Sequence, residues 1–422
     1  MSSATTNPAA YAGVRVLDFT QLEQGPSGTQ VLADFGAEVI KVERIDVGEI
    51  GRDHHPRVRG MSPHWAANNR NKLSLSLNLK DPRSREILDR ILPTVDIVAS
   101  NFRPGVMERL GLGHEQLSAR FPRIISAYAS GFGQDGPYRD RRGQDLVAQA
   151  LGGLMALTGN TQSGPVALGT YAVDYVAAMH FAQGMMAALA ARERTGRGQL
   201  VDANLLSSAV ALHLQEGTTH LNTGRAYPRP EHGIAHANTS ALYATYQTAD
   251  GRQLVLVGEL FVDTPWQRVC KALELPDSIG HDPRFQTQDG LLAHTAETVG
   301  ILETAFARLT RDEALARLAE QDVLAAPVNE YDEVFTDPQI LHNGMVLRTE
   351  HPDVGEIQLV GMPVRLSETP GTLRKAPPPV GQDNEALLRE LGYSAELIGE
   401  LQDAGVVGSE NRNHVAGQDR QW

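Results

Sequence analysis

The stretches Val14-Arg15-Val16-Leu17-Asp18-Phe19 and Ala37-Glu38-Val39-Ile40-Lys41-Val42-Glu43 decide the fold class of this chain. Each run is short, contains β-branched residues and follows a glycine, as is typical of strands. A helical pattern near residues 27–35 lies between them. Because two strands joined through a helix run parallel in one sheet, these runs predict the first unit of an α/β fold.

The same alternation continues towards residue 128. Strands are predicted at 96–100 and 123–128, and helices near 83–91 and 104–109. Repeated strand–helix alternation predicts a doubly wound, mostly parallel sheet with helices on both faces. Residues 200–214 are interpreted as helical, continuing a long helix that runs from residue 175 to 191.

The pattern changes after residue 210, where a second domain is predicted. Residues 243–248 and 254–257 read as two strands joined across Asp250-Gly251, which is a hairpin signal. Strands near 345–347 and 356–360 are expected to return to the first domain. We therefore predict a large α/β domain built from both chain ends, residues 1–210 and 331–422, and a small α+β domain, residues 211–330.

Composition excludes several classes of protein. The 422 residues are 41% hydrophobic and 21% charged, which excludes wholesale disorder and a membrane bundle. A formal net charge of −13 argues against a general nucleic-acid binder, because no basic excess is present to replace phosphate counterions. The single cysteine, Cys270, excludes an intrachain disulfide framework and fits a reducing compartment.

Two segments bear on location. The N-terminal residues 1–13 lack a basic stretch followed by an apolar run, so no secretory signal is predicted. The apolar stretch 173–191 contains Asp174, His180 and Gln183, and it is interpreted as a buried helix of a soluble protein. We expect a cytoplasmic protein that does not associate with a membrane.

Cofactor motifs are weak in this sequence. Residues 131–136 match GxGxxG, but the loop-like residues 137–143 follow where a dinucleotide fingerprint needs a helix, so a nicotinamide or flavin is not expected. His54, His55 and His64 lack the helical spacing and carboxylate partner of a metal site, so no metal is expected. No P-loop, GxSxG or HExxH motif occurs.

Asp174 is the strongest candidate for a catalytic side chain. It lies at or near the N-cap of the predicted long helix, where free N–H groups and the helix dipole favour an anion. We expect such a carboxylate to stay ionised far below neutral pH and to be available as a nucleophile. The residues alone leave open the alternative that Asp174 only caps the helix.

Basic residues follow the predicted strands. Since ligands of open α/β sheets bind at the carboxyl ends of the strands, several cations there would suit a multiply phosphorylated ligand. Each of them alone is equally typical of a solvated surface. They are Arg44, Lys80, Arg103, Arg109, Arg141 and Arg142.

In order and spacing, several short motifs resemble family III CoA-transferases, the formyl-CoA transferase and carnitine CoA-transferase group. The resemblance covers residues 11–407 and implies interlocked homodimers that act on acyl-CoA and small carboxylic acids, with succinyl-CoA as an expected donor. The motifs are VLDFT at 16–20 with GP at 25–26, GAEVIKVER at 36–44, NFRPG at 101–105, RLG at 109–111, GQDGP at 133–137 and RERTGRGQ at 192–199.

The resemblance also implies roles for individual residues. Asp174 takes the place of the nucleophile that forms aspartyl anhydride and aspartyl-CoA thioester intermediates. Glu23 falls where the family has an active-site glutamine, so either Glu23 turns away from Asp174 or Gln24 takes that role. Positions that contact CoA fall on Gln21, Leu22, Arg44, Leu77, Lys80, Asn101, Phe102, Arg109, Arg142 and Gln144.

Two departures narrow the activity. The racemases that share the family fold carry a histidine where Gln144 stands, and an amide cannot shuttle protons near pH 7. A transferase is therefore favoured over a 2-methylacyl-CoA racemase, while a non-catalytic acyl-CoA-binding protein stays a further alternative. Residues 227–233 do not form the glycine-rich loop of formyl-CoA transferase, which argues against formyl or oxalate specificity.

Overall fold

A parallel sheet of six strands forms the centre of the larger unit in the computed structural model, which describes residues 8–230, 233–258 and 263–409. The strand order is β3-β2-β1-β4-β5-β6, so the order reverses direction between β1 and β4. This order confirms the α/β fold class predicted from the sequence. The strands are β1 (Arg15–Asp18), β2 (Glu38–Glu43), β3 (Lys72–Ser76), β4 (Ile97–Ser100), β5 (Ile125–Ser130) and β6 (Leu200–Asn204).

Helices connect and cover the strands. Short 3₁₀ turns lie at Ile50–Asp53, Leu92–Thr94 and Pro283–Phe285. The α-helices are α1 (Gln24–Asp34), α2 (Pro63–Ala67), α3 (Pro82–Ile91), α4 (Val106–Arg109), α5 (His114–Arg120), α6 (Asp145–Leu151), α7 (Leu154–Leu157), α8 (Ala172–Thr195), α9 (Leu205–Leu212), α10 (Leu214–Thr223), α11 (Pro265–Ala272), α12 (Asp277–Gly280), α13 (Gln288–Ala293), α14 (Thr295–Phe306), α15 (Arg311–Glu320), α16 (Tyr331–Val334), α17 (Pro338–His342), α18 (Asn384–Glu390) and α19 (Ala395–Asp403).

The chain divides into two compact units. The larger contains the described residues of Met1–Gly152, Thr170–Leu212 and Pro338–Trp422. The smaller contains those of Gly153–Gly169 and His213–Asp337. The domain boundaries read from the sequence, at 210 and 331, stay a prediction.

Both faces of the parallel sheet are apolar, which explains why its strands read as hydrophobic runs. Consecutive residues of a strand point to opposite faces. Val16 is buried in the same cluster as Phe181 of α8, whereas Leu17 is buried with Leu88 of α3. The apolar run of β1 therefore requires helices on both sides of the sheet.

The sequence interpretation of residues 200–214 as one helix is wrong. Leu200–Asn204 forms β6, which pairs in parallel with β5, and α9 begins only at Leu205. All five residues of β6 are half-buried or exposed, because it is an edge strand. Leu and Ala favour helices in isolation, and here the pairing with β5 overrides that preference.

The second chain end completes the larger unit. The backbone N–H of Ser76 at the end of β3 donates to Oδ1 of Asn384 at 2.8 Å. Leu77 pairs with Val407 as an isolated antiparallel bridge, and α18 and α19 contribute Leu387, Leu388 and Leu401 to the core beneath β3. The antiparallel hairpin of β10 (Val346–His351) and β11 (Gly355–Val360) also belongs to this unit.

The smaller unit has its own core around an antiparallel sheet. The strands β7 (Tyr243–Gln247) and β8 (Gln253–Val257) form the hairpin predicted across Asp250-Gly251, and β9 (Leu324–Pro327) pairs with β8. Buried residues of this core include Trp266 and Phe306.

A buried ion pair joins two strands of the larger unit. Nζ of Lys72 lies 3.1 Å from Oδ2 of Asp18, and both side chains are completely buried. The same ammonium group donates to the carbonyl of Pro26, the hydroxyl of Thr29 and Oδ1 of Asn69. Burial lowers the pKa of Lys72 to about 8.

Removing one partner of this pair should destabilise the protein strongly. We expect Lys72→Met to reduce the free energy of unfolding by about 3–5 kcal/mol, because Asp18 keeps a buried charge without its nearest cation. Urea-induced unfolding followed by circular dichroism measures the change.

The matched control is Glu193→Ala, which removes a partner of Arg123 at 3.2 Å where both side chains are more than half exposed. That variant should lose less than about 1 kcal/mol. Equal losses in the two variants would contradict a special role of the buried pair.

Candidate active site

The positions marked by the family resemblance follow the carboxyl ends of the parallel strands. In an open α/β sheet, ligands bind outside these ends, next to the point where the strand order reverses. Gln21 and Asn101 follow β1 and β4, which flank this point. The other positions are Leu22 after β1, Arg44 after β2, Leu77 and Lys80 after β3, Phe102 and Arg109 after β4, and Arg142 and Gln144 in the connection from β5 to α6.

These residues differ in what they offer a ligand. The side chain of Leu77 is 1% exposed and belongs to the core, so only its backbone faces the sheet edge. Phe102 is half-buried, with its ring centroid 6.5 Å from that of Phe19. The exposed polar side chains in the set are Arg44, Lys80, Arg109, Arg142 and Gln144.

Asp174 lies in the first turn of the 24-residue helix α8, but it does not cap the helix. The N-cap residue is Tyr171, and its side chain makes no capping hydrogen bond. Oδ2 of the buried Asp145 instead accepts the backbone N–H groups of Val173 and Asp174, at 2.8 and 3.0 Å. The expectation that Asp174 lies at or near the N-cap is therefore corrected: Asp174 lies three residues after the N-cap residue Tyr171, and Asp145 supplies the capping anion.

The expected charge of Asp174 is also wrong. Burial and, to a smaller extent, the negative charge of Asp145 together raise the pKa of Asp174 to about 7. The positive end of the helix was expected to lower this pKa, but Asp145 already occupies the free N–H groups there. A carboxylate in this position is consequently only partly ionised at neutral pH.

Glu23 stands beside these two carboxyl groups. It is the N-cap residue of α1, and its side chain caps no backbone N–H. Burial raises the pKa of Glu23 to about 8, and the charges of Asp174 and Asp145 act in the same direction. Glu23 therefore interacts electrostatically with Asp174, and at neutral pH it is mostly a neutral acid that can donate one hydrogen bond.

Gln24 has a different environment. Its side chain is 5% exposed, and Nε2 donates to the carbonyl of Ser130 at the end of β5 over 3.4 Å. This contact holds the start of α1 against the neighbouring strand end.

His64 in α2 is a neighbour of Glu23, and the sequence analysis named it only as a histidine that lacks a metal-site pattern. Nε2 of His64 lies 4.0 Å from Oε2 of Glu23. The His64 ring stacks on that of His54, with centroids 4.4 Å apart, and it meets the edge of Tyr171 at 5.8 Å. Burial lowers the pKa of His64, and His54 adds to this effect, so its ring is mainly neutral at pH 7.

The glycine-rich stretch 131–136 opens a loop, as predicted, and α6 begins only at Asp145. A side chain at Gly131 would place its Cβ 2.5 Å from the Cα of Gly143, so the two ends of this loop touch backbone to backbone. The loop therefore returns the chain to Asp145 instead of presenting a helix to a pyrophosphate.

Sequence reasoning missed Asp145, although it directly follows Gln144, which the family resemblance marked. Asp145 lies at the start of α6 but caps α8. Only tertiary packing brings the two helices together, so no local sequence pattern indicates this contact. The tandem His54-His55 with His64 was visible, but nothing in their spacing places His64 near residue 23.

Within residues 8–230, 233–258 and 263–409, no group of three or more His, Cys, Asp or Glu side chains is placed to hold a metal ion. In the same ranges, no helix is both long and apolar enough to span a membrane.

Comparison with known proteins places this chain in a family. A family model described as CoA-transferase family III matches residues 11–384. The succinyl-CoA:glutarate CoA-transferase of Homo sapiens is 36% identical over 407 residues, which cover 96% of this chain and 91% of that protein. The succinyl-CoA–D-citramalate CoA-transferase of Chloroflexus aurantiacus is 34% identical, covering 96% of this chain and 100% of the relative.

Solved structures agree with the sequence relatives. A CAIB/BAIF family protein from Brucella suis has a TM-score of 0.81 at 30% identity, covering 91% of this chain and 100% of that chain. A model match over most of the chain and relatives above 30% identity show the same family. The chain belongs to CoA-transferase family III, and it is a CoA-transferase.

The raised pKa of Asp174 predicts a pH-dependent stability difference. A carboxyl group with a folded-state pKa above its unfolded value stabilises the fold in its neutral form, and this contribution is lost as the pH rises through about 7. We expect Asp174→Asn, which is neutral at every pH, to raise the melting temperature relative to the parent. The difference should grow between pH 4 and pH 7 and then level off, as measured by differential scanning fluorimetry.

Asp322→Asn serves as the control, because the Asp322 side chain is 92% exposed. Its melting temperature should track the parent at every pH. A difference for Asp174→Asn that does not vary with pH would contradict the raised pKa.

Proposed function

We propose that this enzyme transfers CoA from an acyl-CoA donor to a free carboxylic acid through covalent intermediates on Asp174. The observation that carries the proposal is the crowding of Asp174, Glu23 and Asp145 at the start of α8, beside the carboxyl edge of the sheet. Perturbed carboxyl groups with different pKa values at one site are typical of catalysis.

The first half of the reaction uses the ionised Asp174 as a nucleophile. One carboxylate oxygen attacks the thioester carbonyl carbon, the C–S bond breaks, and an aspartyl anhydride and CoA thiolate form. The thiolate then attacks the Asp174 carbonyl carbon, and the C–O bond to the donor acid breaks. The products are the donor carboxylate and an aspartyl-CoA thioester, so the charge is conserved in both steps.

The second half reverses these steps with an acceptor carboxylate. Because the thioester energy passes from one acid to the other, this series of reaction steps requires no nucleoside triphosphate. The steps also use no metal, nicotinamide or flavin. The names of two relatives support succinyl-CoA as the donor, because both contain it. One name pairs succinyl-CoA with glutarate and the other with D-citramalate. A dicarboxylic or hydroxy acid is accordingly proposed as the acceptor.

Glu23 is assigned the role of a hydrogen-bond donor. A neutral Glu23 offers one O–H donor and one carbonyl acceptor, as a glutamine side chain offers an amide donor and a carbonyl. It can donate to the oxyanion that forms at the attacked carbonyl, which stabilises the transition state. This assignment removes the need for Gln24 to take the role, and Gln24 is bonded to Ser130.

The CoA moiety is proposed to lie along the carboxyl edge of the sheet. Its phosphates are proposed to contact the exposed cations Arg44, Lys80, Arg109 and Arg142. Its pantetheine and thioester end is proposed to contact Gln21, Leu22, Phe102 and Gln144. An interlocked homodimer and a cytoplasmic location are part of the same proposal. They are supported by the family resemblance and by the composition, respectively.

The covalent step is tested by trapping. With succinyl-CoA and hydroxylamine, we expect the enzyme to form a hydroxamate on the peptide that contains Asp174. Without hydroxylamine, mass spectrometry should detect a CoA-sized addition to that peptide. Asp174→Ala should form no adduct and should lose about 10³-fold or more in acid exchange, measured with labelled glutarate.

Asp322→Asn is again the matched control, and it should retain both the adduct and the exchange rate. Exchange that persists in Asp174→Ala would contradict the proposed nucleophile. If the parent forms no adduct but exchanges the α-hydrogen of a 2-methylacyl-CoA with D₂O, the enzyme is a racemase. If CoA binds and neither reaction occurs, the protein is an acyl-CoA binder.

The two raised pKa values predict a narrow pH optimum. The rate should rise with pH through about 7 as Asp174 ionises, and fall through about 8 as Glu23 loses the proton that it donates. Glu23→Gln keeps a donor at every pH, so the falling limb should disappear while the rising limb stays near pH 7. Measuring kcat/KM for succinyl-CoA from about pH 5.5 to about pH 9.5 covers both limbs of the profile. A falling limb that survives in Glu23→Gln assigns that limb to another group.

A further inference from the structure

The backbone of residues 20–22, directly before Glu23, is held by side chains from other elements. The N–H of Thr20 donates to Oδ1 of Asp18 at 2.8 Å. Its carbonyl accepts from Nζ of Lys41 in β2 at 2.7 Å. Lys41 is completely buried, so this contact is protected from water.

Gln21 is held at both of its backbone polar groups by one side chain. Its N–H donates to Oδ1 of Asn101 at 2.8 Å, and Nδ2 of Asn101 donates to its carbonyl at 2.7 Å. Asn101 directly follows β4, whereas Gln21 follows β1 by three residues. The amide of Asn101 thus bridges the two strand ends that flank the reversal of strand order.

Leu22 is held in a conformation that leucine rarely adopts. Its φ is +65°, in the left-handed region that is unfavourable for a residue with a Cβ atom. Its N–H donates to Oε2 of Glu49 at 2.9 Å. Glu49 is 2% exposed, and its other oxygen lies 3.6 Å from Nζ of Lys41.

From these contacts we infer that Asn101 and Glu49 are positioning residues, which hold residues 20–22 so that the side chain of Glu23 stands beside Asp174. The inference rests on the proposed function, because it assigns Glu23 a task in the reaction. It also revises the role expected for Asn101. Both polar ends of its side chain are bonded to Gln21, so its amide serves the loop and not the CoA molecule.

The geometry explains why an amide and a carboxylate occupy these positions. Asn supplies a donor and an acceptor on one short side chain, which matches the N–H and C=O of a single residue. Glu49 supplies only acceptors: its Oε2 accepts the N–H groups of Leu22 and Gly51, and Lys41 neutralises its buried charge. Without these contacts, the left-handed turn at Leu22 would relax and carry Glu23 away from Asp174.

The test separates positioning from CoA binding. We expect Asn101→Ala to lower the single-turnover rate of adduct formation from succinyl-CoA by about 100-fold, as a displacement of about 1 Å does at other active sites. Its Kd for CoA, measured by isothermal titration calorimetry, should stay at the parent value. Asn101→Asp keeps the acceptor for Gln21 N–H but loses the donor, so it should show the same pattern if Asn101→Ala folds poorly. Glu49→Ala should behave like Asn101→Ala.

The pH profile gives a readout that lost stability would not move. If Glu23 leaves its buried position, its pKa should fall from about 8 towards the ordinary value. The falling limb of the rate should then shift to lower pH in Asn101→Ala.

Asn71→Ala is the matched control. Asn71 also clasps backbone, donating to the carbonyl of Thr372 at 2.8 Å and accepting from the N–H groups of Arg374 and Lys375. It precedes β3, at the edge of the sheet opposite the site. This variant should lose stability and keep the rate.

The outcomes are distinguishable. A raised Kd for CoA with an unchanged single-turnover rate in Asn101→Ala overturns the inference in favour of a CoA contact. A rate loss in Asn71→Ala equal to that in Asn101→Ala overturns it in favour of general stability. A parent enzyme that forms no adduct rejects the proposed function itself, which is a separate result.

Discussion

The capping of α8 by Asp145 is the interaction on which the site depends. A 24-residue helix presents free N–H groups at its start, and an anion there is favourable. Because Asp145 from α6 supplies that anion, Asp174 in the first turn of the helix is left with burial and a like charge nearby. The cap therefore stabilises the helix, and the charge of Asp145 contributes to the raised pKa of Asp174. If Asp174 capped its own helix, its ionised form would be stabilised and its pKa would be lower.

The parallel sheet turns this local chemistry into a site. The strand order places the ends of β1 and β4 next to each other. The loop after β1 can therefore contact the loop after β4 at the point where the strand order reverses. Buried polar side chains of neighbouring strands and loops fasten the first of these loops, and Lys41 and Lys72 supply positive charge beneath it. Buried charges are costly unless they are paired and hydrogen-bonded, and here they are. The ionic network below the edge thus contributes both to stability and to the placement of Glu23.

The neutral form of Glu23 reconciles this chain with its family. A glutamate where the family resemblance predicts a glutamine looks like the loss of a donor. Burial, together with the charges of Asp174 and Asp145, raises the pKa of Glu23 to about 8, so it keeps a proton at neutral pH. Its hydrogen-bonding capacity then resembles that of the amide. The difference lies in the pH range over which this capacity persists, since an amide keeps its donor where a carboxyl group loses it.

Sequence alone determined the α/β class, the strands β1, β2, β4 and β5 to within two residues, the hairpin of the smaller unit and the segment that carries Asp174. These follow from hydrophobic period, turn residues and short motifs, which act over a few neighbours in the chain. Tertiary structure decided the edge strand β6, the cap by Asp145, the contact of His64 with Glu23 and the direction of both carboxyl pKa values. Each of these depends on burial or on a partner 28 or more residues away, and no local pattern contains that information.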